Sequence, residues 1–157
     1  MDNVINITEK QKELIEKLGV LCERDGMQPA AARIVALLLV SDVTDLTFDN
    51  IREALQMSKS ATSNALNLLL GTGKIEYITK PGDRKRYFKS KLGSWKEEVR
   101  ESFKNFSVVS NLFKDVLAQR PAETAEFNGK LTEVTNFLDF LIDELPKVYT
   151  KWEKENS

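Results

Sequence analysis

The stretch Ser58–Phe88, SKSATSNALNLLLGTGKIEYITKPGDRKRYF, changes its hydrophobic period part-way along. Over residues 59–70 the apolar positions recur at helical spacing, with Ser58 as a suitable N-cap and Gly71 as a suitable end. From residue 74 the pattern alternates, and it is rich in the Ile, Tyr, Thr and Phe that favour strands. Pro81-Gly82 fits a type II turn between two such segments. The stretch therefore predicts a helix followed by a β-hairpin.

Helices are also predicted upstream of this stretch. Thr8 and Gln11 form a capping box that opens a first helix over about residues 9–25. Pro29 suits the first turn of a second helix, whose sequence AAARIVALLLV is apolar nearly all round and is therefore expected to be buried. Thr47 is a suitable cap for a short helix over residues 48–55. Three helices, a fourth helix over residues 59–70 and a hairpin follow one another in the order of a winged helix-turn-helix. In such a unit the second helix of the helix-turn-helix, here residues 59–70 and called the reader helix below, lies in the major groove of DNA, and the hairpin lies along the backbone.

The outward face of the reader helix follows from a helical projection. Ala61, Ala65, Leu68 and Leu69 cluster on one side, the polar residues lie opposite, and no acid occurs between Lys59 and Leu70. Asn can contact adenine, Ser and Thr can contact base edges or phosphates, and Lys can reach phosphate, although an ordinary polar surface has the same polarity. The candidate DNA contacts on this helix are Lys59, Ser60, Thr62, Ser63, Asn64 and Asn67.

Positive charge is concentrated around the hairpin. The chain has a net charge of -1, yet Gln56–Lys91 holds eight cations and two acids. This indicates a surface for a polyanion, or else a solvated charged loop. The turn is expected to lift its flanking cations away from the body, and Asp83 either orients an arginine or accepts hydrogen bonds within the turn. The candidate contacts here are Lys80, Arg84, Lys85 and Arg86.

The remainder of the chain predicts two long helices. Ser94 and Glu97 resemble a capping box, and the helix that they open should stop near Arg120, before a proline. A heptad pattern then predicts helix-on-helix packing, with a weak start at Gly129 and a kink at Pro146. Its positions are Phe127, Leu131, Val134, Leu138, Leu141, Leu145, Val148 and Trp152. The predicted fold is mainly α with a small β-hairpin, divided into residues 1-26, 27-92 and 93-157.

Composition excludes several functional classes. The chain has no histidine and a single cysteine, Cys22, which removes intramolecular disulfides, Cys/His zinc sites and Ser-His or Cys-His nucleophile pairs. It has neither GxxxxGK[ST] nor GxGxxG. We therefore expect no enzyme, no metal and no cofactor. It also lacks a leader-like N-terminus and a long apolar run, so a cytoplasmic location without a membrane partner is expected.

The motifs QPAAARIVALLLVSD, LTFDNIREALQMSKSATSNALNLLLGTGKIEYI and KPGDRKRYF together resemble those of MarR-type transcription regulators, in particular the GbsR-like branch. The resemblance covers about residues 27–88, and less specifically the two long helices. It implies a homodimer held by segments 1-26 and 93-157, with two wings on a pseudo-palindromic operator in double-stranded DNA, acting as a repressor. The alternative is a winged-helix protein–protein interaction module that does not bind DNA specifically.

Some regulators of that branch sense choline-like cations, which implies a small-molecule effector held in an aromatic cage. The candidate effector residues are Trp95, Phe103, Phe106 and Phe137, with Phe113 and Phe140 nearby in sequence. Aromatic residues at helical spacing are also typical of a core. The resemblance likewise leaves two readings of Cys22, as a peroxide sensor or as a small core residue.

Overall fold

The computed structural model describes residues 5–157, so the first four residues of the predicted segment 1-26 lie outside the described residues. Contacts divide the chain into two units, one ending at Leu92 and the other spanning Gly93–Ser157. The fold is mostly helical with a small antiparallel sheet, which confirms the predicted fold class.

The first unit contains the predicted helices and hairpin. Its capping boxes form at Thr8 and Thr47. Each threonine hydroxyl accepts from the backbone amide three residues on, and the side chain of that third residue accepts from the backbone amide of the threonine. Ser58 caps the reader helix by accepting from the amide of Ala61. The elements are α1 (Glu9–Arg24), α2 (Pro29–Val40), β1 (Leu46–Thr47), α3 (Phe48–Ala54), α4 (Lys59–Gly71), β2 (Ile75–Thr79) and β3 (Arg86–Ser90).

The sheet has a third strand that the sequence did not indicate. β3 lies between β1 and β2, and both pairings are antiparallel. β1 is two residues long and places Leu46 opposite Phe88 and Thr47 opposite Tyr87. A strand this short has no alternating pattern to detect, and its residues lie in the turn-rich stretch SDVTDLTF. β1 ties the base of the hairpin to the segment before α3.

Packing around α2 fixes the orientation of α4. Ile34 and Leu37 of α2 are fully buried, as the all-apolar sequence of this helix predicts. They belong to one core cluster with Ile51 of α3, Leu69 of α4 and Phe88 of β3. Because α4 and β3 share this core, the reader helix and the hairpin are held on the same body.

The second unit is a pair of antiparallel helices. A 3₁₀ turn leads into α5 (Trp95–Gln119), and another 3₁₀ turn leads into α6 (Ala125–Glu155). The start of α5 meets the end of α6 through Lys96 and Glu153, whose charged atoms are 3.4 Å apart. The expected weak start and kink do not appear as breaks, because α6 runs unbroken through Gly129 and Pro146.

The predicted capping box at Ser94 is wrong. Ser94 has φ -96° and ψ 4°, and its side chain makes no capping hydrogen bond. Its hydroxyl instead donates to Glu98 at 3.1 Å. The cause is the 3₁₀ turn at residues 92–94, since a cap residue needs extended backbone to turn its hydroxyl back onto the helix amides.

None of the helices in the described part of the chain is long and apolar enough to cross a bilayer.

Candidate nucleic-acid interface

The outward face of α4 is polar and solvent-exposed. Five of the six candidate contacts on this helix lie on that face, and they are Lys59, Ser60, Ser63, Asn64 and Asn67. No acidic side chain interrupts them. A face of amides, hydroxyls and one terminal cation presents both donors and acceptors, which base edges and phosphates require.

Thr62 does not belong to this face, so its prediction as a DNA contact is wrong. Thr62 is fully buried, and its hydroxyl donates to the carbonyl of Ser58 at 2.9 Å. That internal bond satisfies the hydroxyl and allows Thr62 to pack in the core. The buried row is therefore Thr62, Ala65, Leu66 and Leu69, whereas Leu68, predicted to face inward, is 38% exposed.

Lys80 also departs from its prediction. Its ammonium lies 2.8 Å from a carboxylate oxygen of Asp45, the residue that precedes β1. The same ammonium lies 3.9 Å from the centroid of the Tyr87 ring. The hydrogen bond from Lys80 to Asp45 is the main cause that raises the pKa of Lys80. The turn therefore does not lift Lys80 away from the body, because an acid and an aromatic face hold it there.

Asp83 is the local acceptor of the hairpin turn. One oxygen accepts from the amide of Lys85 at 2.9 Å, and the other accepts from the hydroxyl of Tyr87 at 2.6 Å. The hydroxyl of Tyr87 is the main cause that lowers the pKa of Asp83, and the same bond raises the pKa of Tyr87. Gly82 has φ +79°, the conformation that its place in a type II turn requires. Of the two roles considered for Asp83, these contacts support completion of the turn.

The remaining cations of the hairpin differ in their freedom. Arg84 is exposed, and its guanidinium forms no ion pair with any residue in the described range 5–157. Lys85 is exposed beside it. Arg86 lies over the ring of Tyr77, 4.7 Å from its centroid, and Lys89 pairs with Glu76 across the strands at 3.2 Å. Arg84 is therefore the cation at the tip that is most available to a phosphate.

Helix α4 and the hairpin meet in a cleft. Ser63 and Asn67 of α4 line it together with Lys85 and Arg86 of the hairpin, and the other lining residues are Phe48, Leu66, Leu70 and Phe88. Four of the predicted DNA contacts thus face one depression, which has cations on one side and an amide and a hydroxyl on the other. We call this depression the α4–wing cleft.

The aromatic candidates for an effector site are only partly brought together. Trp95 and Phe103 of α5 lie against Tyr149 of α6 with ring centroids 6.5 and 6.4 Å apart, and Trp95 lies 5.3 Å from Trp152. These four rings, with Leu145 and Val148, line an apolar depression. Phe106 and Phe137 do not line this depression, and their assignment as effector residues stays a prediction. Trp152 is a heptad position of α6, so the heptad spacing was the signal for it, whereas Tyr149 is not one of those positions and was missed.

The chain's own cations already cover part of this aromatic cluster. The guanidinium of Arg100 lies 5.3 Å from the Tyr149 centroid, and the ammonium of Lys96 lies 5.9 Å from that of Trp152. Both cations also pair with Glu153. Any cationic ligand would have to compete with them for the ring faces.

Two other sites considered from composition can be placed. Cys22 is half-buried on α1 and has no disulfide partner. Among the residues that the structure describes, no group of three or more His, Cys, Asp or Glu side chains is arranged to hold a metal ion.

The geometry defines a class of fold, a winged helix-turn-helix followed by two long helices. The chain superposes on the crystal structure of a transcriptional regulator with a TM-score of 0.65 and 21% identity, over 92% of this chain and 99% of that one. The structure of the S. aureus MepR-DNA complex is also similar, with a TM-score of 0.43 and 20% identity over 81% of this chain and 91% of that one. The fold assignment rests on the first of these.

A particular relative is found by sequence. The chain is 26% identical to the HTH-type transcriptional regulator MmpR5 of Mycobacterium tuberculosis (strain ATCC 25618 / H37Rv) over 129 residues, which are 82% of this chain and 78% of MmpR5. No family model matches the chain. The relatives it resembles are transcriptional regulators.

Proposed function

We propose that the chain is a sequence-specific DNA-binding transcriptional regulator that acts as a homodimeric repressor, of the GbsR-like kind that its motifs resemble. The observation that carries the proposal is the α4–wing cleft. It combines a polar helix face free of acids with the exposed cations of the hairpin. Two such surfaces related by a twofold axis fit a pseudo-palindromic operator.

The roles within this surface divide by chemistry. Asn64 and Asn67 project from the middle of α4 and offer the amide pair that reads adenine in the major groove. Lys59 at the start of the helix, with Arg84 and Lys85 in the hairpin, supplies the charge that contacts phosphates. We therefore assign base reading to the helix and sequence-independent affinity to the wing.

The homodimer is supported by apolar surface that the described chain leaves uncovered. In α5 and α6 the buried side chains are Ser110 and Thr135, both small and polar. Large apolar residues remain exposed on both helices, and so do Leu14 and Leu21 of α1. On the two long helices they include Val108, Leu112, Val134, Phe137, Phe140 and Val148. Exposed apolar area of this extent is typical of an interface, so we assign segments 1-26 and 93-157 to dimerisation.

The depression lined by Trp95, Phe103, Tyr149 and Trp152 is the best candidate for the effector site. Its lining is almost entirely apolar and aromatic, which suits a small organic molecule. Quenching of tryptophan fluorescence by choline, and weakening of DNA binding by the same compound, would support the cationic effector that the resemblance implies. A Trp152→Ala variant that kept both responses would exclude this depression.

The central experiment measures binding to genomic DNA fragments that include the region upstream of the chain's own gene. The proposal expects some fragments to bind far more tightly than others at moderate salt. It also expects log K to fall linearly with log salt concentration, with a slope of about 0.9 per phosphate contact. Equal binding to every fragment would refute the regulator and leave the protein–protein interaction module.

Two substitutions separate the assigned roles. Arg84→Ala should weaken binding to all sequences and lower the salt slope by about 0.9 for each wing, or about 1.8 for the dimer, whereas Asn67→Ala should cost about 1 to 3 kcal/mol per contact on the preferred fragment and relax its specificity. Lys130→Ala is the matched control for Arg84→Ala, since it removes one exposed cation from α6. It should leave the slope unchanged.

A further inference from the structure

The hairpin turn is connected to the body by a chain of polar contacts that begins at Asp45. The carboxylate of Asp45 is mostly covered, with 17% of the side chain exposed, and it pairs with Lys80 at 2.8 Å. Lys80 in turn lies over the ring of Tyr87 at 3.9 Å. In the pairing of β3 with β1, Tyr87 lies opposite Thr47, and Thr47 follows Asp45 by two residues in the sequence. The contact therefore joins the first residue of the turn to the base of the sheet.

The series of polar contacts continues within the hairpin turn. The hydroxyl of Tyr87 donates to Asp83, and Asp83 accepts from the amide of Lys85 on the far side of Arg84. The amide of Asp83 also donates to the carbonyl of Lys80 at 3.0 Å. The backbone amides of both residues that flank Arg84 are thus hydrogen-bonded, that of Asp83 to the Lys80 carbonyl and that of Lys85 to the Asp83 carboxylate, while the Arg84 side chain is exposed to solvent.

We propose that Asp45 and Lys80 are positioning residues for the wing: their ion pair fixes the turn so that Arg84 points at the DNA backbone, and Lys80 itself is not a phosphate contact. This inference rests on the proposed DNA binding. It adds an acid outside the recognition surface to the residues on which binding depends.

The proposal makes a prediction opposite to simple electrostatics. Asp45 is a negative charge beside a surface assigned to a polyanion, so its neutralisation alone would strengthen DNA binding. If the ion pair orders the turn, Asp45→Asn weakens binding instead, because the turn that carries Arg84 is then less ordered in the free protein and DNA binding must bear the entropic cost of ordering it. The direction of the change therefore separates the two effects.

The loss of DNA affinity in Asp45→Asn or Lys80→Met can at most equal the affinity that the Arg84 side chain contributes. One phosphate contact contributes about 0.9 in the salt slope, which at 0.15 M salt corresponds to about a fivefold change in affinity per wing and about thirtyfold for two wings. Asp45→Asn and Lys80→Met should each weaken binding by up to this factor. Both should lose most of their effect, falling below about twofold, in a protein that already carries Arg84→Ala.

The experiment measures affinity and salt slope on the preferred fragment for Asp45→Asn, Lys80→Met, Arg84→Ala and the two double variants. Asp42→Asn is the matched control, since it neutralises an exposed acid in the same connection that contacts Gln11 rather than the hairpin. Stronger binding by Asp45→Asn overturns the proposal. Equal weakening by Lys80→Met with and without Arg84 also overturns it, because Lys80 would then contact phosphate directly.

A measurement without DNA keeps the proposal testable even if the proposed function fails. Hydrogen exchange of the Asp83 and Lys85 amides, followed by NMR, should be at least about threefold faster in Asp45→Asn and in Lys80→Met than in the wild type, because the turn opens more often. Asp42→Asn should leave both rates unchanged. Unchanged rates in Asp45→Asn would show that the ion pair does not order the turn.

Discussion

Replacement of Phe137 by alanine tests whether the exposed apolar stripe of α6 forms an interface between two copies of the chain. Phe137 is 59% exposed, with Phe140 at 57% and Val134 at 47%. The three residues lie within two helical turns on neighbouring positions of one face. Alanine removes the ring and keeps a strong helix former, so α6 itself should be unaffected.

The size of the effect follows from the exposed area. A phenylalanine side chain buries about 200 Å² when fully covered, so the exposed part of Phe137 amounts to about 120 Å². At about 25 cal/mol per Å² its burial contributes about 3 kcal/mol per copy, and about 6 kcal/mol when both copies bury the ring. That is an upper value for full burial. Even half of it raises the dimer dissociation constant by more than about a hundredfold.

Sedimentation equilibrium over a wide range of protein concentrations measures this constant directly. The control is Asn136→Ala, which changes the adjacent exposed residue about 100° further round the helix. A dissociation constant for Phe137→Ala within threefold of the wild-type value would refute the assignment of this stripe to the interface. A wild-type protein that remains monomeric at high concentration would refute the homodimer.

Three further substitutions test the core and the helix pair. Gly19→Ala should destabilise the protein by about 1 kcal/mol in a urea melt, because a Cβ there would lie 2.5 Å from the Arg33 side chain and would displace it from its ion pairs with Glu16 and Glu23. Thr62→Val should cost about 1 kcal/mol through loss of the bond to Ser58 and should leave base specificity unchanged. Asp139→Asn should flatten the loss of thermal stability in acid. The lysine and serine partners of Asp139 lower its pKa, so its stabilisation is fully present above the ordinary carboxyl range and is lost as the pH falls from that range through the lowered pKa of the folded state.

Each of these predictions has an outcome that contradicts it. Gly129→Ala is the control for Gly19→Ala, because a Cβ at this helical position meets no atom within 4 Å and should stabilise the protein by up to about 1 kcal/mol. Equal effects at both glycines would contradict the packing argument. Altered base preference in Thr62→Val would return Thr62 to the DNA surface. An unchanged acid profile in Asp139→Asn would show that its contacts do not stabilise the fold.

The elements that the sequence predicted correctly are those with local signals. The capping box at Thr8, the Pro-Gly turn and the all-apolar α2 each depend on residues within one or two turns of one another. The predicted winged-helix order followed from these signals alone. A two-residue strand has no such signal, so β1 was found only in the structure.

The site was less predictable because its details depend on distant partners. Asp45 and Lys80 are 35 positions apart, and no local pattern connects them, so Lys80 was expected to reach outward. Thr62 was expected to face DNA because its residue type is polar, but a hydroxyl that donates to its own helix can be buried without cost to its hydrogen bonding. The predicted exposed and buried sides of α4 therefore differ from the structure at two positions, Thr62 and Leu68.

The scarcity of buried side chains in α5 and α6 has a consequence for synthesis. The unit that ends at Leu92 has its own apolar core and is made first, so we expect it to fold while the remainder of the chain is still being translated. The following helix pair buries only Ser110 and Thr135, and in the proposed homodimer it would gain stability when the partner copy covers it. Newly made chains at low abundance would then expose this helix pair to proteases, and the amount of protein in the cell would rise more steeply than its rate of synthesis.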